Sequence, residues 1–178
     1  MSARDNRVSA VDFDRRLSYL VVATADESDL QIDRAVNEVL RLVRDHLQMD
    51  VAFVSQFEGG RRVFRYIEQG EGDPLLAVGA SDPLEQSFCQ RVIDGRLPQL
   101  VQDVARLPDF RELPATSFPI GAHMSTPIVL RDGAIYGTLC CFSFAPNESL
   151  ASRDLGRLRM AAAMAARLID KASGRGIR

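Results

Sequence analysis

Hydrophobic positions in this chain repeat with two different periods, and the two periods predict helices and strands. From Leu30 to Leu47 the apolar residues recur at helical spacing, with arginines and acidic residues between them. A one-sided apolar stripe of this kind is typical of a helix that packs on a sheet. A weaker pattern predicts helices over residues 9–23 and 154–171, while Pro83 and Gly95 bound a short helix over residues 83–94.

Short runs of β-branched and aromatic residues predict five strands. They cover residues 51–57, 61–68, 97–101, 126–130 and 135–142. The pair Asp132-Gly133 lies between the last two runs and predicts a β-hairpin. The final run is apolar or small on both faces, which is typical of a central strand, and Gly137 within it requires a close packing partner.

These elements predict an α+β fold with a central antiparallel sheet of five to six strands. The N- and C-terminal helices are expected on one face of the sheet. The short helix and a long irregular stretch, residues 103–123 with three prolines, are expected on the other. A stretch of this length without a periodic pattern is typical of a functional lid or binding loop.

Composition and charge narrow the function further. The 178 residues carry 22 basic and 24 acidic side chains, a formal charge of −2, without a basic cluster that would indicate nucleic acid. No apolar run approaches the roughly 20 residues of a membrane span. Three cysteines form an odd count, and Cys140 and Cys141 point to opposite faces of a strand, so free thiols in the cytoplasm are expected.

Three segments carry a family resemblance. Residues 87–103 (SFCQRVIDGRLPQLVQD), residues 136–143 (YGTLCCFS) and the start of the final helix near Leu150 and Leu155 are similar to the middle helix, central strand and closing helix of bacterial GAF domains. The resemblance covers roughly residues 30–170. It implies a tail and helix over residues 1–28, a GAF domain over residues 29–172 and a flexible tail or linker over residues 173–178.

The resemblance implies a sensory or regulatory domain that binds a small molecule. Such domains signal through their terminal helices, as homodimers, to a histidine kinase, to a cyclic di-GMP turnover domain or to a partner protein. Two alternatives stay open: a thiol-dependent reductase of a small metabolite that uses Cys89, and a dimerisation scaffold without a ligand. Apart from that reductase, the sequence contains no nucleophile–base pair or metal-ligand spacing that would indicate an enzyme.

The candidate ligand pocket combines residues from the predicted strands, short helix and irregular stretch. It consists of Phe53, Ser55, Phe64, Tyr66, Phe88, Cys89, Val92, Asp103, Phe110, Phe118, His123, Ser125 and Cys141. The aromatic members are either a pocket lining or plain core, Asp103 is either a turn cap or a ligand contact, and Cys89 is either inert or reactive. The sequence does not identify the ligand. No cysteine has the nearby histidine that is common at a covalent bilin site, and the sequence does not favour a haem held by His123.

Overall fold

The computed structural model describes residues 8–23 and 29–174. Residues 1–7 and 24–28 of the predicted tail and helix, and residues 175–178 of the predicted C-terminal tail, lie outside the described residues. The helices are α1 (Ala10–Ala23), α2 (Asp29–Leu47), α3 (Phe88–Ile93) and α4 (Ser152–Ala172). The strands are β1 (Val51–Glu58), β2 (Arg61–Gln69), β3 (Ser81–Pro83), β4 (Leu100–Val101), β5 (Ala122–Val129) and β6 (Ile135–Ser143). Short 3₁₀ turns lie at Leu84–Gln86, Val104–Arg106 and Phe110–Glu112.

The six strands form one antiparallel sheet in the order β3-β2-β1-β6-β5-β4. The predicted α+β fold is therefore confirmed, including the hairpin from β5 to β6 and the central place of β6. The β6 strand pairs with β1 on one side and β5 on the other, which explains why its residues are apolar or small on both faces.

The helices α1, α2 and α4 cover one face of the sheet. Their apolar stripes meet side chains such as Ala52, Val54, Met124 and Leu139 in one buried cluster, which we call the helix-side core. The α1 helix is held in place in part by His46 on α2, whose Nδ1 lies 2.6 Å from the Val8 carbonyl oxygen. Because this core buries one face of the sheet, the opposite face is left for a binding site.

The other face is covered by α3 and by residues 103–121, which we call the cover segment. The cover segment runs from β4 to β5 and contains two of the 3₁₀ turns. It is shorter than the predicted irregular stretch because β5 begins at Ala122, so His123 is a strand residue paired with Phe142.

The region from residue 81 to residue 94 differs from its prediction as a single helix starting at Pro83. Residues 81–83 instead pair with β2 at the sheet edge, and α3 starts only at Phe88. The reason is local: the Ser87 side chain accepts a hydrogen bond from the Gln90 backbone N–H and so caps the helix at that point.

Gly137 has the close packing partner that its position required. A Cβ atom at this position would lie 1.9 Å from the Ser55 carbonyl oxygen and 2.7 Å from the Ser55 carbonyl carbon. The strands β1 and β6 approach so closely here that a side chain at residue 137 has no space.

Among the described residues, no helix combines the length and the apolar character that crossing a membrane requires.

Candidate functional site

The face of the sheet opposite α1, α2 and α4 carries a second apolar layer, the lid-side core. Alternate residues of the central strands point into it because side chains alternate between faces. Its buried members are Val51, Phe53, Phe64, Cys89, Cys140 and Phe142. The rings of Phe53 and Phe64 meet edge to face at 5.0 Å, and Phe118 of the cover segment stacks on Phe142 at 5.2 Å.

Polar side chains are buried within this apolar layer. The hydroxyl groups of Ser55 and Thr138 lie 3.0 Å apart on the paired strands β1 and β6, and both side chains are fully buried. Each hydroxyl is the hydrogen-bond partner of the other, so burying the pair costs little folding free energy.

Arg62 brings a positive charge to the edge of the lid-side core. Its Nε donates to Asp82 Oδ1 at 2.9 Å, and its Nη1 donates to the Cys89 sulfur at 3.4 Å. The guanidinium lies over the Phe64 ring, 4.8 Å from the ring centre. Packing and hydrogen bonds therefore fix the cation beside one particular thiol.

Cys89 and Cys140 are free thiols whose sulfur atoms are 3.4 Å apart. Burial alone would raise the pKa of Cys89, but the Cys140 hydrogen bond and the Arg62 charge outweigh it and the pKa is lowered. Burial and the neighbouring Cys89 raise the pKa of Cys140. The pair therefore combines a thiolate-like sulfur on α3 with a protonated sulfur on β6.

His123 is buried on the other side of Cys140. Its Nε2 lies 3.7 Å from the Cys140 sulfur, and its ring lies 5.2 Å from the Phe88 ring. Burial, with a contribution from the Arg62 charge, lowers the pKa of His123 to about 3, so the imidazole is neutral. His123 Nδ1 and Ser125 Oγ are buried without a hydrogen-bond partner among the described residues.

A groove of about 750 Å³ opens beside this buried cluster. The cover segment supplies most of its lining, including Phe110, Pro114 and Phe118, and α3 supplies Phe88. The remaining wall is Phe144 and Pro146, in the connection from β6 to α4. Phe88 separates the groove from the buried His123, since its ring contacts both.

The structure places the predicted pocket residues in three groups. Six of them lie in the lid-side core or its buried polar cluster: Phe53, Ser55, Phe64, Cys89, His123 and Ser125. Phe88, Asp103, Phe110 and Phe118 line the groove. Val92 packs with Phe88, Leu97 and Val101 in a small cluster beneath α3.

Two of the predicted pocket residues lie on the helix side of the sheet, away from the other eleven. Tyr66 packs against the helix-side core and its hydroxyl donates to Asp33 on α2 at 2.8 Å, so it faces away from the cover segment. Cys141 is also a member of the helix-side core. The prediction that Cys140 and Cys141 point to opposite faces is confirmed, but the residue on the lid side is Cys140.

Arg62, Thr138 and Cys140 are residues of this cluster that the sequence prediction missed. Strand alternation was the available signal, because Arg62 shares a face with Phe64 while Thr138 and Cys140 share a face with each other. An arginine two residues before a buried phenylalanine is nevertheless usually read as a solvated side chain.

Asp103 is a turn cap as well as a groove residue. Its side chain accepts from the Ala105 backbone N–H at 3.1 Å and pairs with Arg106 at 3.1 Å. The capping alternative therefore describes its contacts in the structure. No group of three or more His, Cys, Asp or Glu side chains suited to a metal ion occurs among the described residues.

The chain belongs to the GAF domain family. The sequence profile of that family, described as GAF domain, matches residues 29–170. The resemblance noted in the sequence is thereby confirmed. No curated protein sequence matches this chain.

Several solved structures share the fold at low sequence identity. The GAF domain of the Acinetobacter phosphoenolpyruvate-protein phosphotransferase matches with a TM-score of 0.71 at 16% identity, over 94% of this chain and 96% of that one. The chromophore-binding domain of the R. palustris bacteriophytochrome RpBphP3 matches at 0.69 and 18% identity, over 99% of this chain and 65% of that one. The Neisseria meningitidis free methionine-R-sulfoxide reductase matches at 0.70 and 15% identity, over 98% and 95%. The fold therefore occurs in a domain of a phosphotransferase, in a chromophore-binding domain and in a sulfoxide reductase, and the fold alone does not assign this chain to one of these roles.

Proposed function

We propose that this GAF domain is a sensory or regulatory module that binds a small molecule in the groove beneath the cover segment. The groove itself carries the proposal: its volume of about 750 Å³ lies within the range of small-molecule sites, roughly 300–1,000 Å³. Its walls come from the cover segment, from Phe88 on α3 and from the connection between β6 and α4. Such a site can close on a ligand without disturbing the sheet.

The lining favours a flat, partly aromatic ligand. Phe88, Phe110 and Phe118 present rings, and the nearby prolines add apolar surface. Arg111 supplies a cation and Thr116 a hydroxyl at the same groove. An aromatic molecule that also carries an anionic or hydrogen-bond-accepting group fits this combination.

The proposed signal leaves through the terminal helices. Phe144 and Pro146 line the groove and lie in the connection from β6 to α4, so a ligand that contacts them contacts the segment that leads into that helix. The α4 helix packs on α2 in the helix-side core. We propose that a shift of these helices passes the bound state across a homodimer to an output domain, a histidine kinase or a cyclic di-GMP turnover domain, or to a partner protein.

Hydrogen exchange with three classes of probe tests this proposal. Cyclic nucleotides, biliverdin and haemin each combine a flat ring system with anionic groups, and a probe that binds should protect residues 103–121. The exposed Ala105 lines the groove, so Ala105→Trp should fill it and abolish the protection. The matched control is Ala134→Trp, at an exposed turn at the opposite end of the β5–β6 hairpin, which should keep the protection.

Two results would contradict the proposal. One is unchanged exchange of residues 103–121 with every probe. The other is equal protection in Ala105→Trp and Ala134→Trp, because binding would then not involve the groove. Native mass spectrometry of the purified protein complements both measurements, since a co-purified molecule would appear as added mass.

One observation keeps the reductase alternative in place. Arg62 lies beside Cys89, and a thiol next to a cation is more nucleophilic at neutral pH than an isolated one. A reductase of this kind would consume free methionine sulfoxide with dithiothreitol as electron donor, and Cys89→Ser would abolish the turnover. Sensing and reduction are distinguished by that assay, because the sensory proposal requires no turnover.

A further inference from the structure

We propose that Cys89 and Cys140 are a redox-active dithiol that a small hydroperoxide converts into an intramolecular disulfide between α3 and β6. This dithiol is separate from the groove. Its oxidation changes the chain covalently, whereas the groove would bind a ligand reversibly. The proposal rests on the positions of two sulfur atoms and a guanidinium, and on the burial of the two sulfur atoms.

The two sulfurs are close enough to bond after a small movement. They lie 3.4 Å apart, and a disulfide bond of about 2.05 Å requires them to approach by a little over 1 Å. Cys89 is in the first turn of α3, a six-residue helix joined to its neighbours by loops. Cys140 is fixed in the central strand, so α3 is the element that moves.

The two thiols have different surroundings, which gives each a different role. Cys89 faces the Arg62 guanidinium at 3.4 Å, and that guanidinium is held by Asp82 from the sheet edge. Cys140 faces the neutral His123 ring at 3.7 Å. The cation stabilises a thiolate at Cys89, which makes Cys89 the nucleophile and Cys140 the resolving thiol.

The reaction balances with one hydroperoxide as the oxidant. The Cys89 thiolate attacks the terminal hydroperoxide oxygen and the O–O bond breaks. The departing oxygen takes up the proton that the Cys89 thiol released and leaves as an alcohol, or as water when the oxidant is hydrogen peroxide. Cys89 is now a sulfenic acid. The Cys140 sulfur then attacks the Cys89 sulfur, the S–O bond breaks, and the hydroxide leaves as water with the Cys140 proton. Two electrons pass from the two thiols to the peroxide.

Burial restricts which oxidant can enter. Neither cysteine has exposed surface, and Phe53 and Phe64 pack with both of them in the lid-side core. A peptide disulfide or a protein partner cannot place a sulfur against Cys89 without opening this layer. Hydrogen peroxide is the smallest hydroperoxide, so it requires the least opening of this layer to reach Cys89.

Peptide mapping of the native protein after hydrogen peroxide treatment tests the proposal. Trypsin releases Cys89 in the peptide of residues 66–91 and Cys140 with Cys141 in the peptide of residues 132–153. The expected product is a cross-link between these two peptides, with a loss of two hydrogen atoms from the intact mass. Dithiothreitol should reverse both changes.

Four variants assign the roles. Cys89→Ser and Cys140→Ser should both abolish the cross-link, while Cys141→Ser should keep it, because Cys141 lies in the helix-side core. Arg62→Gln keeps both thiols but removes the cation, and it should slow cross-linking at neutral pH by at least about tenfold. The Arg62 measurement reports on the chemistry even if a cysteine variant folds poorly.

The proposal fails if the native protein forms no cross-link although the urea-unfolded protein does, if the cross-link contains Cys141, or if Arg62→Gln reacts as fast as the wild type. Groove binding is tested independently. Ala105→Trp fills the groove but leaves the dithiol in place, so cross-linking in that variant should match the wild type whether or not the groove binds a ligand.

Discussion

At the scale of single residues, Arg62 organises the lid-side face. Its side chain is mostly buried, it pairs with Asp82, and it lies over the rings of Phe53 and Phe64 at 5.8 and 4.8 Å. One cation thus contacts two rings, a carboxylate and a thiol. Because its positive charge also opposes protonation of the buried His123, the charge at residue 62 affects the protonation of both Cys89 and His123.

We predict that His123 makes the stability of the protein depend on pH in the weakly acidic range. Burial and Arg62 lower the pKa of His123 to about 3, whereas the pKa of a histidine in an unfolded chain is about 6.5. Between these values the unfolded chain binds a proton that the folded chain does not. The contribution is therefore fully present above about pH 6.5, and it is lost as the pH falls toward about 3, by at most about 1.4 kcal/mol per pH unit.

Urea unfolding of matched variants measures this contribution. His123→Gln removes the titrating group, so its free energy of unfolding should change less than that of the wild type between about pH 6.5 and about pH 4.5, above the range in which most carboxylates titrate. Ser125→Ala, on the same buried strand face, should keep the wild-type slope because serine does not titrate. Equal slopes for His123→Gln and the wild type would show that folding does not lower the pKa of His123.

At the scale of elements, the contact between β1 and β6 depends on Gly137. We predict that Gly137→Ala lowers the free energy of unfolding by about 2–4 kcal/mol, because the new methyl group would overlap the Ser55 carbonyl of a central strand. Gly156→Ala is the control, since a Cβ there meets no atom within 4 Å, and it should raise stability by about 0.5–1 kcal/mol. Urea titration of both variants measures whether each free energy of unfolding falls or rises. An unchanged free energy of unfolding in Gly137→Ala would contradict the close approach of β1 and β6.

The same elements show how far the sequence predicts the fold. The α2 helix and the β5–β6 hairpin were predicted because their periodicity and turn residues are local signals. The three-residue strand β3 was missed because its structure comes from pairing with β2, which no local pattern records. The face of Cys140 was undetermined for a similar reason: β6 is buried on both faces, so alternation separates the two cysteines without telling which core each one joins.

At the scale of the whole molecule, the terminal helices leave apolar side chains at the surface. Met160 on α4 is 52% exposed and Leu30 on α2 is 72% exposed. We predict that these helices form the homodimer contact. Met160→Lys should then shift the protein toward monomer, because a lysine ammonium in a helix contact would lose its hydration.

Sedimentation equilibrium over a range of concentrations measures this change. Val129→Lys is the matched control, since Val129 is exposed to nearly the same extent, 51%, but lies on β5 and not on a helix. Dissociation in Met160→Lys alone would support the proposed contact. A wild-type protein that stays monomeric at high concentration would rule it out.

The pairing of β1 with β6 has a consequence for how the chain acquires its structure. Val51 is hydrogen-bonded alongside Phe142, so the two middle strands of the sheet come from distant parts of the chain. A growing polypeptide can complete its first hairpin early, yet the inner edge of β1 has no neighbour until β6, from Gly137 onward, has been synthesised. Closing so long a loop slows folding, and the unpaired edge meanwhile offers a template for another chain. We therefore expect synthesis that stops before β6 to yield aggregates, even though most of the helical and strand segments are already present.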